Sequence, residues 1–211
     1  MHAGKSTAAD YLIEEFGYRR LSFAEPVKQK SLDMLNAGNF RAEPFTRAEL
    51  DANKSVFRPL LQWVGTELGR EYVGDENYWV NMLAHQIDES DAPIVIDDAR
   101  FPSEWEFLRQ QGFTFAYIDR DREERFRTFV ERQGGDPDRE HDRERFSAKW
   151  AEVLAHPSEP SFSLIERHTC DLRLINNNTD PEWLFVQIKW LVDLHGSQER
   201  NACAPITATS V

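Results

Sequence analysis

Three short apolar runs, each meeting polar residues and separated by stretches of helical period, constrain the fold most. They are Pro93 to Asp98, Phe113 to Ile118 and Asp171 to Ile175. Between the first two, Glu104 to Gln111 puts Trp105 and Leu108 on one helical face, and Gly112 closes the helix. After the third, Asn176-Asn177-Asn178 makes a turn. A helix follows, with Asp180 as N-cap, Pro181 in its first turn, and Leu184, Ile188 and Leu191 inside. Near the start, Ser6 to Phe16 repeats Ala8, Leu12 and Phe16 every four residues and stops at Gly17, and Arg20 to Ala24 is a fourth strand candidate. Strands alternating with helices form βαβ units, so the expected class is α/β with a parallel sheet. Leu60 to Leu83 and an arginine-rich segment add further helical pieces.

Charge and length narrow the classes. The chain has 211 residues, which fits one domain with a small insertion. Its 25 basic and 37 acidic residues leave a net charge of −12, which argues against a non-specific nucleic-acid polymer as partner. No stretch approaches the ~20 apolar residues of a membrane span, and the first residues are too polar for a secretory signal. Cys170 and Cys203 match neither a disulfide framework nor a metal motif, so the expected location is a reducing cytoplasm. From Asp119 to Arg145, 8 arginines and 10 acids interleave, as on a solvated helix with cross-turn pairs. Gly134-Gly135 breaks that helix and Asp136-Pro137 turns the chain. From 196 to 211 no apolar period is present, and a flexible tail is expected there.

The chemistry begins at Ala3-Gly4-Lys5-Ser6-Thr7, which reads as the second half of a P-loop, G-x-x-x-x-G-K-[ST]. In that motif backbone N–H groups wrap nucleotide phosphates, the lysine reaches the β/γ-phosphates and the next hydroxyl binds Mg²⁺. Lys5 is then the phosphate lysine, Ser6 the metal ligand, and Thr7 an α-phosphate contact; the alternative is an ordinary helix start. A complete motif needs a glycine four places before Ala3, together with a strand leading into the loop. The expectation is therefore that Met1 is not the functional start, and that without the upstream strand a central slot in the sheet lacks its occupant. At the end of the apolar run IVIDD, Asp98 sits where open α/β sheets bind ligands and can hold Mg²⁺, while Arg100 can clamp a phosphate. The alternative there is that Asp97 or Asp98 caps a turn and Arg100 pairs with Glu104. Among Arg120, Arg122, Arg125 and Arg127, one or two are expected to act as lid arginines, with Gly134-Gly135 as hinge. His156-Pro157-Ser158-Glu159 shows no metal spacing; Ser158 reads as a helix cap.

In order along the chain stand GKSTAADYL (Gly4 to Leu12), SFAEPVK (Ser22 to Lys28), RPLLQWVGTELGREYVGDENYWV (Arg58 to Val80), DARFPSEWEFLRQQG (Asp98 to Gly112), HPSE (His156 to Glu159) and D-x-x-x-I-N-N from Asp171 to Asn177. Together, from Gly4 to about Leu191, they resemble the phage-type deoxynucleoside monophosphate kinases, a branch of the P-loop kinases. The resemblance implies a three-layer α/β/α P-loop NTPase fold of nucleoside monophosphate kinase type, spanning 1–195. It implies a helical acceptor region over about 25–85 and an arginine-rich lid over about 119–160. It implies ATP- and Mg²⁺-dependent transfer of the γ-phosphoryl group to a small-molecule deoxynucleoside 5′-monophosphate, and leaves a homodimer open. Carried over, Lys5 and Ser6 take the donor phosphates and Mg²⁺ within the loop Ala3 to Thr7, Asp98 is the strand-end acid that can hold Mg²⁺, and Arg100 is the phosphate-binding arginine; Arg120 is the lid arginine taken as catalytic. Phe23, Lys28, Gln62, Thr66, Arg70 and Arg100 fall on the acceptor side. HPSE in similar form also occurs in phosphomevalonate kinases. Small-molecule kinases of that type or of dephospho-coenzyme A type are therefore the enzyme alternatives, and a nucleotide-binding protein without turnover is the third.

Overall fold

Ile94, Val95 and Ile96 are all buried, as an inner strand of a parallel sheet requires. The computed structural model describes residues 2–75, 77–88, 90–99, 101–155, 170–178, 180–198 and 206–209. Two units emerge, one of Met1–Arg20 with Asp91–Val211, the other of Leu21–Ser90.

The first unit holds α1 (Lys5–Phe16), β2 (Ile94–Ile96), α6 (Pro102–Gln110), β3 (Thr114–Asp119), α7 (Arg122–Arg132), α8 (Glu140–Ala155), β4 (Leu172–Ile175), α9 (Glu182–Gln198) and β5 (Ile206–Thr209). With β1 (Arg19–Leu21), the strands order as β1-β2-β5-β3-β4. β5 runs parallel to β2 and β3, and β3 parallel to β4. Alternation along β3 divides the core. Ala116 and Ile118 join Ala8, Leu12, Leu184 and Ile188 under α1 and α9. Phe115 points the other way and stacks on Trp105 of α6 at 4.4 Å between ring centroids. Helices thus cover both faces of the sheet.

Two expectations change here. Residues 206–209 are not part of a structureless tail but form β5, and α9 runs to Gln198. The slot between β2 and β3, for which the described N-terminal residues supply no strand, is filled by β5, so its neighbours keep their pairing. Ile-Thr-Ala-Thr carries little apolar periodicity but is β-branched at three of four positions, which suits a strand.

The arginine-rich segment breaks at Gly134-Gly135 as expected, and the two helices form a hairpin whose apolar faces are buried rather than solvated. Phe126, Phe129 and Val130 of α7 close on Phe146 and Trp150 of α8. The glycine pair is a packed turn: Gly134 has φ +79°, and a Cβ on Gly135 would come within 2.7 Å of the Phe146 ring. Arg143 pairs with Glu123 and Arg127 with Asp138 across it.

The second unit, within which the expected acceptor region falls, holds α2 (Ala24–Ala37), α3 (Arg47–Ala52), α4 (Lys54–Trp63), a π-helical segment (Val64–Tyr72) and α5 (Tyr78–Asp88). The stretch Leu60 to Leu83 is helical, as expected, in three pieces, the middle one π-helical. Trp79 is buried and its Nε1 donates to the Gly65 carbonyl at 2.8 Å. A side chain at Gly69 would meet the Trp79 ring at 2.4 Å, so glycine is what allows that close approach.

Helix α3 begins with a capping box. The Glu49 N–H donates to Thr46 Oγ1 at 3.2 Å, and Glu49 Oε2 accepts the Thr46 N–H at 2.8 Å and Arg41 Nη2 at 2.7 Å. The Arg41 guanidinium, with the Thr46 N–H behind it, holds the Glu49 carboxyl down to about 2, from 4.5. A lowered carboxyl pKa stabilises the fold above the unfolded value and loses that contribution as pH falls through the folded one. Carboxyl ¹³C titration is expected to show Glu49 protonating near pH 2, with α3 loosening between about pH 4.5 and 2. A Glu49 midpoint near its ordinary value would remove the box from the account.

Candidate functional site

Helix α1 starts where the chain turns through Gly4, at φ +100°, a left-handed conformation that side chains resist. Gly4, the N-cap residue, has no side chain with which to cap α1. The helix's first N–H groups therefore converge at the positive end of the helix dipole, an arrangement suited to an anion. Asn176, buried just past β4, donates from Nδ2 to the Ala3 carbonyl at 2.8 Å, which fixes the turn. A Cβ on Gly4 would lie 2.4 Å from that Nδ2. Gly4→Ala is expected to combine backbone strain with loss of the Asn176 bond. The cost is about 2 kcal/mol or more in urea unfolding; unchanged stability would contradict this geometry.

Ser6 stands in the first turn of α1, and its Oγ donates to Asp97 Oδ2 at 3.1 Å. The acid meeting Ser6 is thus Asp97, whereas the sequence reading placed Asp98 there. The reason is the period of two: Val95 packs in the core beneath α1, so Asp97, two residues on, faces the same way and Asp98 the opposite way. Arg20, the middle residue of β1, ties the corner together. Its Nη2 donates to the Ser6 carbonyl at 3.0 Å and lies 3.7 Å from Asp97 Oδ2, while Nη1 pairs with Asp10 at 3.0 Å.

Beside this corner lies a cavity of about 380 Å³, whose lining includes Gly4, Thr7, Arg120, Arg127, Arg132 and Asn176, with Glu124 and Glu131 among the arginines. That volume lies within the range of small-molecule sites. Arg120 Nη1 donates to the His2 carbonyl at 3.2 Å, and its Nε is buried with no hydrogen-bond partner among the described residues. Burial holds its guanidinium below the usual arginine range, against the pull of Glu124 and Glu131. An arriving anion would offset that desolvation.

The structure therefore brings Ala3, Gly4, Ser6, Thr7 and Arg120 around one corner of the first unit, and Lys5 opens α1 there. Arg122 and Arg125 do not line the cavity; Arg125 is buried with its guanidinium 5.8 Å from the Trp150 ring centroid. In the second unit, Phe23 is buried, Lys28 Nζ pairs with Asp51 at 2.8 Å, and Gln62 and Thr66 are exposed along α4 and the π-helical segment. Arg70 lies in that segment, its side chain outside the described residues, as are Arg100, His156 to Glu159 and Cys203. Sequence reading missed three residues. Asp97 was weighed only as a turn cap, although the alternation from Val95 carried the signal. Asn176 was read only as part of a turn, and nothing marked Arg20.

Among the described residues no group of three or more acids, histidines or cysteines is placed to hold a metal, and no helix is long and apolar enough to cross a membrane.

No family model matches the chain. Over 133 residues it is 29% identical to the "Putative deoxynucleotide monophosphate kinase" of Acanthamoeba polyphaga mimivirus, covering 56% of this chain and 69% of that protein. Over 54 residues it is 48% identical to the "Deoxynucleoside-5'-monophosphate kinase" of Escherichia phage T5, covering 25% of this chain and 21% of that protein. These similarities support the resemblance to the phage-type deoxynucleoside monophosphate kinases, a class of phosphotransferases.

Proposed function

We propose that this chain, on a P-loop kinase fold, transfers the γ-phosphoryl group of Mg²⁺-bound ATP to a deoxynucleoside 5′-monophosphate, giving the diphosphate. The observation that carries the reading is the Ser6–Asp97 pair at the start of α1, behind the left-handed Gly4 turn. Two hard oxygen donors beside converging N–H groups fit Mg²⁺, which commonly takes one or two protein oxygens and fills the rest with phosphates and water. When bound, the ion supplies charge neutralisation of the phosphates.

The side chains divide the remaining work. Ser6 and Asp97 hold the ion, and Arg20 keeps Asp97 and the α1 backbone in register. The N–H groups of Gly4 to Thr7 orient the β-phosphate, and Lys5 draws off charge that builds on the γ-phosphoryl oxygens. Arg120 does so from the cavity side, where its partial desolvation strengthens the attraction. Asp98 and Arg100, one and three residues past Asp97, are assigned to the acceptor phosphate. Phe23, Lys28, Gln62, Thr66 and Arg70 are assigned to acceptor recognition. The acceptor oxygen attacks phosphorus in line and ADP leaves with the bridging oxygen.

The test is coupled ADP release with each of the four common deoxynucleoside monophosphates, phosphomevalonate and dephospho-coenzyme A. Turnover with one or more deoxynucleotides, and none with the other two, supports the proposal. Turnover confined to phosphomevalonate or dephospho-coenzyme A assigns another kinase. ATP binding without ADP release with any acceptor assigns a binding protein.

A further inference from the structure

Arg120 stands between two pinned neighbours. The Asn176 N–H donates to the Asp119 carbonyl at 2.8 Å, which carries the β3–β4 ladder one residue beyond the Asp119–Ile175 pair. Past the strand ends a side chain takes over: the Asp121 N–H donates to Asn177 Oδ1, also at 2.8 Å. Consecutive asparagines after β4 thus hold the peptides on either side of Arg120. Helix α7 does not need the second bond. Asp121 is its N-cap, and Asp121 Oδ1 itself accepts the Glu123 N–H at 2.7 Å. The Asp121 N–H lies outside the helical ladder, so Asn177 completes no turn of α7. What its bond fixes is the corner from which Arg120 projects.

We propose that Asn177 is a positioning residue for Arg120, setting where the guanidinium stands relative to phosphates gathered at the start of α1. This rests on the kinase reading above, in which Arg120 draws charge from the γ-phosphoryl oxygens. Two observations select positioning over ligand contact. Asn176 and Asn178 line the cavity beside α1, and Asn177 between them does not. Arg120 also has little else to hold it. Among the described residues its guanidinium makes one hydrogen bond, from Nη1 to the His2 carbonyl at 3.2 Å, and Nε makes none. A long side chain held so sparsely takes its place largely from its backbone. Asn176 meanwhile bonds the Ala3 carbonyl, so one strand end sets both the Gly4 turn and the arginine. Stabilisation of developing charge depends on placement, and a misplacement of about 1 Å costs up to ~10²-fold in rate.

Asn177 is exposed, so truncating it opens no core cavity. Asn177→Ala should lower kcat about 5- to 20-fold, with both KM values within about 2-fold of wild type and an unchanged far-ultraviolet spectrum. Should that variant misfold, Asn177→Ser, whose shorter side chain withdraws the acceptor, supplies the same reading. In an Arg120→Ala background the same change should cost less than about 2-fold, because residues acting as one device are not additive. The ¹⁵N signal of the Arg120 Nε–H, identified by its absence in Arg120→Lys, reads the position without turnover and should shift in Asn177→Ala. Wild-type kcat in folded Asn177→Ala, the full loss repeated in the Arg120→Ala background, or an unmoved Arg120 signal overturns the proposal. A wild-type chain that releases no ADP with any acceptor fails the kinase reading instead, and the Arg120 signal alone then decides the positioning.

Discussion

Lys5→Ala should lower kcat/KM for phosphoryl transfer by on the order of 10²-fold or more, equivalent to ~2.7 kcal/mol of transition-state stabilisation. Lys5 is the first residue of α1, directly after the left-handed Gly4 turn, where a cation reaches phosphates gathered at the helix start. Alanine keeps the helix and removes the charge, so the loss should fall on turnover rather than on folding. Steady-state kinetics with a thermal melt of the same preparation separate the two. Near wild-type turnover would exclude Lys5 as the phosphate lysine, and a collapsed melt would show a structural role instead.

The second large effect is expected at Asp97. Asp97→Asn preserves shape and can still accept the Ser6 hydroxyl, bonded at 3.1 Å in the native protein, but it removes the negative charge. Arg20 keeps Asp10 and the Ser6 carbonyl as partners, so the corner should stay folded. Turnover should fall at least ~10²-fold, and the Mg²⁺ concentration needed for half-maximal rate should rise. Asp98→Asn made in parallel is expected to leave the Mg²⁺ requirement near that of wild type. If Asp98→Asn moves the requirement and Asp97→Asn does not, the two acids exchange roles.

Local physics explains what was legible in the chain. Runs such as Phe113 to Ile118 announce a strand because burial on both faces demands an unbroken apolar run, and β3 forms over Thr114–Asp119. Asp180 announces α9 because a short carboxylate satisfies an otherwise unpaired N–H, and it accepts the Glu182 N–H at 3.0 Å. Gly4 and Ser6 were visible because a tight turn ahead of a helix tolerates few residue types. What escaped depends on distant partners. β5 is a strand because β2 and β3 offer it hydrogen bonds on both sides, not because Ile206–Thr209 carries a strong pattern. Arg20 matters because its side chain reaches from β1 to the Ser6 carbonyl, and Asn176 because β4 delivers it to Ala3, a pairing 173 residues apart in sequence. The choice between Asp97 and Asp98 was open to sequence reasoning, since it follows from which face Val95 occupies.

Where the γ-phosphate goes tests the account most directly. ³¹P NMR of the protein with ATP, Mg²⁺ and a deoxynucleoside monophosphate should show the monophosphate resonance decline as the two coupled resonances of the diphosphate grow. ADP should appear in equal amount, and both changes should stop when Mg²⁺ is chelated. Inorganic phosphate as the only new product, or an unchanged spectrum with every deoxynucleoside monophosphate, would contradict it.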